Sequence, residues 1–144
     1  MYFLLKNVDS KEAVEGFLLK THEILEAKDF NIYKNFQFLR FRTSYSDDNK
    51  HTNDETLVDL DYGVKDVVAE ILSLTVENYK ETIIDNQAGK IKPFYCFIKT
   101  IKGKQVYIKF KISEVKEKQI FCVSFHFAEF FVYDNQLPYK NNKK

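Results

Sequence analysis

The sequence predicts an α+β domain, with N-terminal helices packed on an antiparallel sheet whose C-terminal part is a three-stranded meander. Three observations predict it. Apolar residues recur at helical intervals between Asp9 and Lys28 and again after Gly63, the apolar period falls to two beyond Pro93, and the links between those later runs are hairpin-sized. The chain has 144 residues, 44% of them hydrophobic, enough for one core without disulfides or a structural metal. Residues 1–138 read as a single domain and 139–144 as a short basic disordered tail.

The first helix is expected from Asp9 to Lys28. Val14, Phe17, Leu18, Thr21, Ile24, Leu25 and Lys28 fall at helical spacing behind the capping-box pair Asp9 and Glu12, with Ser10 as the alternative cap. Residues Phe36 to Thr43 are Phe-rich without helical periodicity and read as a strand, followed by a polar loop from Ser44 to Thr56. After Gly63, the stripe Val64, Val67, Val68, Ile71 and Leu72, opposite Asp66 and Glu70, predicts a second helix. Thr75 then caps a short turn through Val76 to Tyr79. Strands follow at Phe94–Ile101, Gln105–Ile112 and Gln119–Ala128, joined by Lys102–Lys104 and Ser113–Lys118.

Composition excludes several classes of protein. With 22 Lys+Arg against 21 Asp+Glu the chain is no disordered polyelectrolyte. No apolar run approaches the ~20 residues of a membrane span. The opening Met1–Leu5 is cut off by Lys6 and Asp9, and no signal-peptide pattern is visible, so a cytoplasmic protein without a membrane partner is expected. Cys96 and Cys122 are too few for a disulfide framework, and His22, His51 and His126 lie far apart, with no Cys-x-x-Cys or His-Glu-x-x-His. Cys122 and His126 share a strand parity, yet strand rise sets them about 13 Å apart, too far to share one zinc. No metal or cofactor is expected.

The net charge of +1 conceals a dipolar chain. Residues 90–118 hold nine lysines and two acids, whereas residues 47–85 hold eleven acids and three lysines. Aromatics are segregated too: eleven of the 14 Phe and 9 Tyr lie within 94–133.

Strand alternation assigns faces. On the second meander strand Val106, Ile108, Phe110 and Ile112 read as core, which leaves Tyr107, Lys109 and Lys111 on the other face. On the third, Phe121, Val123, Phe125 and Phe127 read as inward and Cys122, Ser124 and His126 as outward. The first is mixed; if Phe94, Cys96 and Ile98 are core, then Tyr95, Phe97 and Lys99 point the other way. The polar face then gathers Tyr95, Lys99, Tyr107, Lys109, Ser124 and His126. Lysines interleaved with tyrosines suit a phosphate backbone and its bases, though the solvated side of any antiparallel sheet looks similar.

The segment Glu70-Ile71-Leu72-Ser73-Leu74-Thr75-Val76-Glu77-Asn78-Tyr79, then Val106-Tyr107-Ile108-Lys109, then Val123-Ser124-Phe125-His126, resembles the motility quorum-sensing regulator family of toxins over roughly residues 10–128. The resemblance implies a RelE-like fold and a ribosome-independent mRNA interferase held inactive by a cognate antitoxin. It also implies site residues. Tyr107 matches an active-site tyrosine, and His126 stands where the family has a functional lysine. Lys80 matches a second family lysine once a one-residue gap is allowed. The family's active-site glutamine has no clear counterpart, and Lys99 is taken as its substitute on the same face.

The expected catalytic set is therefore His126, Tyr107, Lys99 and Lys80. Lys109, Lys111, Tyr95 and the two arginines, Arg40 and Arg42, are the expected RNA contacts. The chemistry expected is metal-independent cleavage of single-stranded mRNA, the 2′-hydroxyl attacking the adjacent phosphate. His126 would move protons, the lysines would stabilise the extra phosphorane charge, and Tyr107 would hydrogen-bond the phosphate or stack on a base. The alternatives are a non-catalytic RNA- or protein-binding module of the same fold, and an interaction strand at Phe127–Tyr133 that an antitoxin strand pairs with.

Overall fold

The computed structural model describes residues 4–41, 52–85, 93–114 and 117–140. They form four α-helices and a six-stranded, mostly antiparallel sheet. The strands are β1 Leu4–Asn7, β2 Phe36–Phe38, β3 Tyr79–Asp85, β4 Phe94–Ile101, β5 Lys104–Ser113 and β6 Gln119–Phe127, in the spatial order β1-β3-β4-β5-β6-β2. Only β2 runs parallel to its neighbour, β6. The three meander strands stand within a residue of their predicted ends. The β4–β5 link is a two-residue hairpin turn: Lys102 and Gly103 both take positive φ, 52° and 85°, the backbone such a link requires.

Helix α1 spans Lys11–Leu25 and starts at Ser10, whose side chain accepts from the Ala13 N–H. Asp9, the expected cap, instead accepts from Thr82 Oγ1 at 2.8 Å and ties the chain before α1 to β3. Helix α2, Ile32–Asn35, precedes β2, which ends at Phe38 rather than Thr43. The last residues of the predicted loop are instead the first turn of α3, Asn53–Leu60, which starts with a Thr52/Glu55 capping box. Helix α4, Val64–Leu72, follows Gly63 as expected, and Thr75 caps a 3-10 turn at Val76–Asn78.

The helices cover one face of the sheet. Val14 and Leu18 of α1, Val67 and Ile71 of α4 and Phe97, Phe110 and Phe125 of the meander share one buried cluster. Phe17 of α1 stacks on Tyr95 with ring centroids 3.8 Å apart and lies 5.2 Å from Phe110. Each of these rings is worth about 3–5 kcal/mol against truncation to Ala.

Two faces differ from strict alternation. On β4 the core parity is Tyr95, Phe97 and Lys99, paired with Phe110, Ile108 and Val106, so the mixed strand resolves opposite to expectation. The fully buried ring is Phe97, and large apolar volume decides the face. On β6 the register slips between Lys109 and Phe110 of its partner, which pair with Ser124 and Cys122 and leave Val123 as an extra residue. That β-bulge returns Cys122 and Ile120 to the core and turns Phe121 outward, against the predicted assignment, while Ser124 and His126 stay on the outer face.

Beyond β2 the edge of β6 is closed by α3 rather than by a strand. Asn53, only 2% exposed, accepts from the Phe125 N–H at 2.9 Å and donates to the Val123 carbonyl at 3.0 Å and to the Leu39 carbonyl. One helical turn on, Thr56 Oγ1 accepts from the Phe127 N–H at 3.0 Å. Two buried side chains thus satisfy edge donors that would otherwise be orphaned.

After β6 the chain crosses the outer face as a strap. Val132 and Leu137 pack on Ile98 and Tyr107, and the Gln105 amide bonds both the N–H and the carbonyl of Val132 at 2.8 Å. Tyr139, assigned above to the tail, is packed: it stacks on Tyr79 and its hydroxyl donates to the Asp9 carbonyl at 2.6 Å. Among the described residues no helix is long and apolar enough to cross a membrane.

Candidate active site

The outer face carries an open groove of about 520 Å³ between the strap and strands β3, β5 and β6. Lys6, Lys80, Glu81, Tyr107 and His126 line it, with Phe130 and Phe131 of the strap on its rim. These side chains come from four strands, and the local backbone explains how they meet.

Lys80 and Glu81 are adjacent in sequence yet line the same groove because β3 also carries a bulge. Tyr79 pairs with Phe97 and Glu81 with Cys96, so Lys80 is an extra residue. Tyr79 faces the core, fully buried, while the two charged residues are re-aimed outward. Glu81 Oε2 lies 3.9 Å from Lys6 Nζ and its Oε1 lies 3.5 Å from Lys80 Nζ. One carboxylate thus gathers two ammonium groups from neighbouring strands.

Tyr107 and His126 are directly paired across β5 and β6, their rings 5.4 Å apart. His126 is 9% exposed beneath the strap, and its Nδ1 sits 3.0 Å from the Phe127 carbonyl. A carbonyl only accepts, so Nδ1 carries the proton in the neutral ring. The Tyr107 hydroxyl donates to Cys96 Sγ at 3.2 Å. Burial, then the neighbouring Cys96, pushes the Tyr107 phenol well above the usual tyrosine range, so it acts as a neutral donor. Burial likewise pushes the Cys96 thiol up to about 11, which keeps it from serving as a thiolate nucleophile. Lys109 and Lys111 continue this face along β5 and lie 5.2 Å and 4.8 Å from the Phe94 ring centroid.

The structure brings together Tyr107, His126 and Lys80, with Lys109 and Lys111 beyond them, and separates the rest of the predicted set. Lys99 points to the helix-covered face, where Nζ bonds Glu70 Oε1 at 2.6 Å and the Ser73 hydroxyl. Tyr62 donates to the same Glu70, and burial and that carboxylate raise its phenol to about 12. Lys99 therefore anchors α4 to β4 and cannot reach the groove. Tyr95 is on that face too, stacked on Phe17, its phenol raised to about 12 by burial and then by Asp9. Arg40 donates to Asp54 Oδ1 at 2.7 Å near the β2–α3 junction, away from the groove lining. Arg42 lies outside the described residues.

Cys122 and His126, which alternation placed on one face, are on opposite faces, Cys122 fully buried in the core. Among the described residues no group of three or more His, Cys, Asp or Glu side chains is arranged to hold a metal ion. Sequence reasoning missed Glu81 and Lys6. The signal for Glu81 was its place beside Lys80 after the Asn78-Tyr79 turn; Lys6 had none, because β1 is too short to show alternation. In comparisons with known proteins, the chain matches no family model, no curated protein and no solved structure.

Proposed function

We propose that this protein is a toxin-type endoribonuclease with a RelE-like arrangement of its sheet, cleaving single-stranded RNA in the outer-face groove. One observation carries the reading: Lys80, Tyr107 and His126, named by a resemblance in three separate segments, line one groove together with Glu81 and Lys6. That set contains what cleavage by the 2′-hydroxyl needs.

A scissile phosphate takes Lys6 and Lys80 as cations, and the neutral Tyr107 hydroxyl turns from Cys96 to donate to it. Glu81, beside that phosphate, accepts the 2′-hydroxyl proton. The 2′-oxygen bonds to phosphorus, the bond from phosphorus to the 5′-oxygen breaks, and His126 delivers its Nε2 proton to that leaving oxygen. The products are a 2′,3′-cyclic phosphate and a 5′-hydroxyl. A cognate antitoxin protein, implied by the resemblance, would block the groove until it is removed.

The test uses purified protein and a single-stranded RNA of mixed sequence, with and without EDTA. Cleavage is expected in both, leaving cyclic-phosphate ends, and a 2′-deoxy nucleotide at a mapped cut site blocks it there. His126→Ala and Lys80→Ala are each expected to lose about 100-fold or more in rate. RNA left intact by the parent protein, or cut equally well by both variants, refutes the proposal. Growth arrest on induction of the parent but not of His126→Ala is the expected cellular counterpart.

A further inference from the structure

The strap that borders the groove lies beyond residue 128, where the family resemblance ends, and it presents three large rings to solvent. Phe130, Phe131 and Tyr133 are 77%, 63% and 62% exposed. Exposed rings on a loose tail need no explanation, but this segment is held at both ends. Ala128 N–H bonds the Gln105 carbonyl at 2.9 Å and the Gln105 amide clamps Val132. Leu137 is buried against Ile98 and Tyr107, and Tyr139 is bonded to Asp9. Val132, between Phe131 and Tyr133, is turned inward and is 8% exposed, so the braced backbone and not looseness of the chain leaves the rings outside. Phe131 and Tyr133 meet edge to face, 4.8 Å between centroids, which holds their orientation. A contiguous aromatic patch on a braced segment marks a binding surface.

Its neighbours indicate the occupant. Phe130 and Phe131 line the groove that holds Lys6 and Lys80 together with Glu81 and Glu129, and Phe131 also lines the adjoining hollow with Lys104. Braced, exposed rings beside ammonium groups are the combination that binds single-stranded nucleic acid, the cations tracking phosphates while the rings stack on bases without reading sequence. A duplex keeps its bases stacked on one another and offers no face to such rings. We infer that Phe130, Phe131 and Tyr133 form a base-stacking rim that captures unpaired RNA nucleotides flanking the phosphate held in the groove. This rests on the RNA-cleaving reading for the identity of the strand, and it adds a substrate-selecting subsite which that reading does not require.

The experiment measures binding of two fluorescein-labelled 12-nucleotide strands by anisotropy, both with 2′-O-methyl riboses so that neither can be cleaved: one single-stranded RNA and one of equal length with abasic residues, which keeps the phosphates and removes the bases. The parent should bind the base-bearing strand at least ten-fold more tightly. Phe131→Ala and Tyr133→Ala should each lose about ten-fold on that strand, since one stacked base is worth that much, and little on the abasic strand. Tyr133→Phe, which keeps a ring, should bind as the parent does; far-UV circular dichroism checks that all variants are folded. Equal binding of both strands by the parent, or Ala variants that bind RNA like the parent, overturns the inference. So does a parent dimer in sedimentation that the Ala variants abolish with RNA affinity unchanged, which would make the rings a protein interface. Base-dependent binding that is lost with the rings, but without cleavage of any RNA, sustains the rim and refutes only the nuclease reading.

Discussion

Replacing Asn53 by Ala tests whether a helix side chain, rather than a strand, holds the site's register. The Asn53 amide makes three bonds in a setting 2% exposed, with Phe125 N–H, the Val123 carbonyl and the Leu39 carbonyl. Alanine removes all three and leaves a buried N–H without a partner next to His126. A net hydrogen bond is worth about 1 kcal/mol and an orphaned buried donor costs about 1–3, so the loss should be about 3 kcal/mol, a large share of a domain's stability. Urea unfolding followed by far-UV circular dichroism reads it as a lower midpoint at unchanged slope. Asn53→Asp separates hydrogen bonding from volume: it keeps an acceptor for Phe125 but turns charged oxygen toward two carbonyls, and should be at least as destabilising. Thr56→Val, which loses one bond to Phe127 N–H, should cost about 1 kcal/mol. Asn53→Ala within about 0.5 kcal/mol of the parent would refute the argument that α3 closes this edge, since that is the scatter of a neutral surface change.

Lys80→Ala and Lys99→Ala should behave oppositely in paired RNA-cleavage and urea assays: the first loses cleavage at parental stability, the second loses stability with cleavage retained, because Lys99 bonds Glu70 and Ser73 on the helix-covered face. Thermal midpoints should fall as pH rises above about 9, the region where unfolded thiols and phenols lose protons. Burial holds the Cys122 thiol and the Tyr107 phenol above their ordinary values of 9.0 and 10.0, so the unfolded chain binds fewer protons there and stability drops with pH. Tyr107→Phe should show the shallower fall. In native protein at pH 8 both thiols, fully buried, should resist iodoacetamide until urea is added. Gln105→Leu should release the strap, seen as faster hydrogen exchange at the Val132 amide, which Gln105 accepts in the parent.

The elements that sequence patterning located are those whose period is long and uninterrupted. Helix α1, helix α4 and the meander each repeat an apolar spacing over eight residues or more. Strands β1 and β2 have four and three residues, too few to repeat any period, and their pairing is set by β3 and β6. Helix α3 was hidden because its buried side includes Asn53 and Thr56, polar residues whose worth lies in satisfying β6 and is invisible to hydrophobicity. The site was legible in its residue types but not in its faces. Alternation carries a face assignment only until a bulge, and the two bulges, at Lys80 and Val123, fall where the groove residues are aimed. Lys99 went to the wrong face because Phe94, Cys96 and Ile98 are as apolar as Tyr95 and Phe97. What separates them is the helix layer over one parity and only a thin strap over the other.

That difference between the two layers bears on how the groove could do chemistry. The helix layer excludes water wherever it lies, and a charged pair beneath it, Glu70 with Lys99, serves as an anchor. The strap covers less, and it buries His126 to about the same degree as core edge residues while leaving the Glu81, Lys6 and Lys80 trio at its margin. Charges at such a margin interact more strongly than on open sheet, because low-dielectric protein stands on two sides of them. Two lysines held by one carboxylate are already gathered, so a phosphate arriving there meets its cations in place. Glu81→Gln separates this from simple attraction. Removing the carboxylate raises the local positive charge and should tighten RNA binding, while cleavage falls because the proton acceptor is gone. Tighter binding with undiminished cleavage would show that Glu81 only screens its lysines.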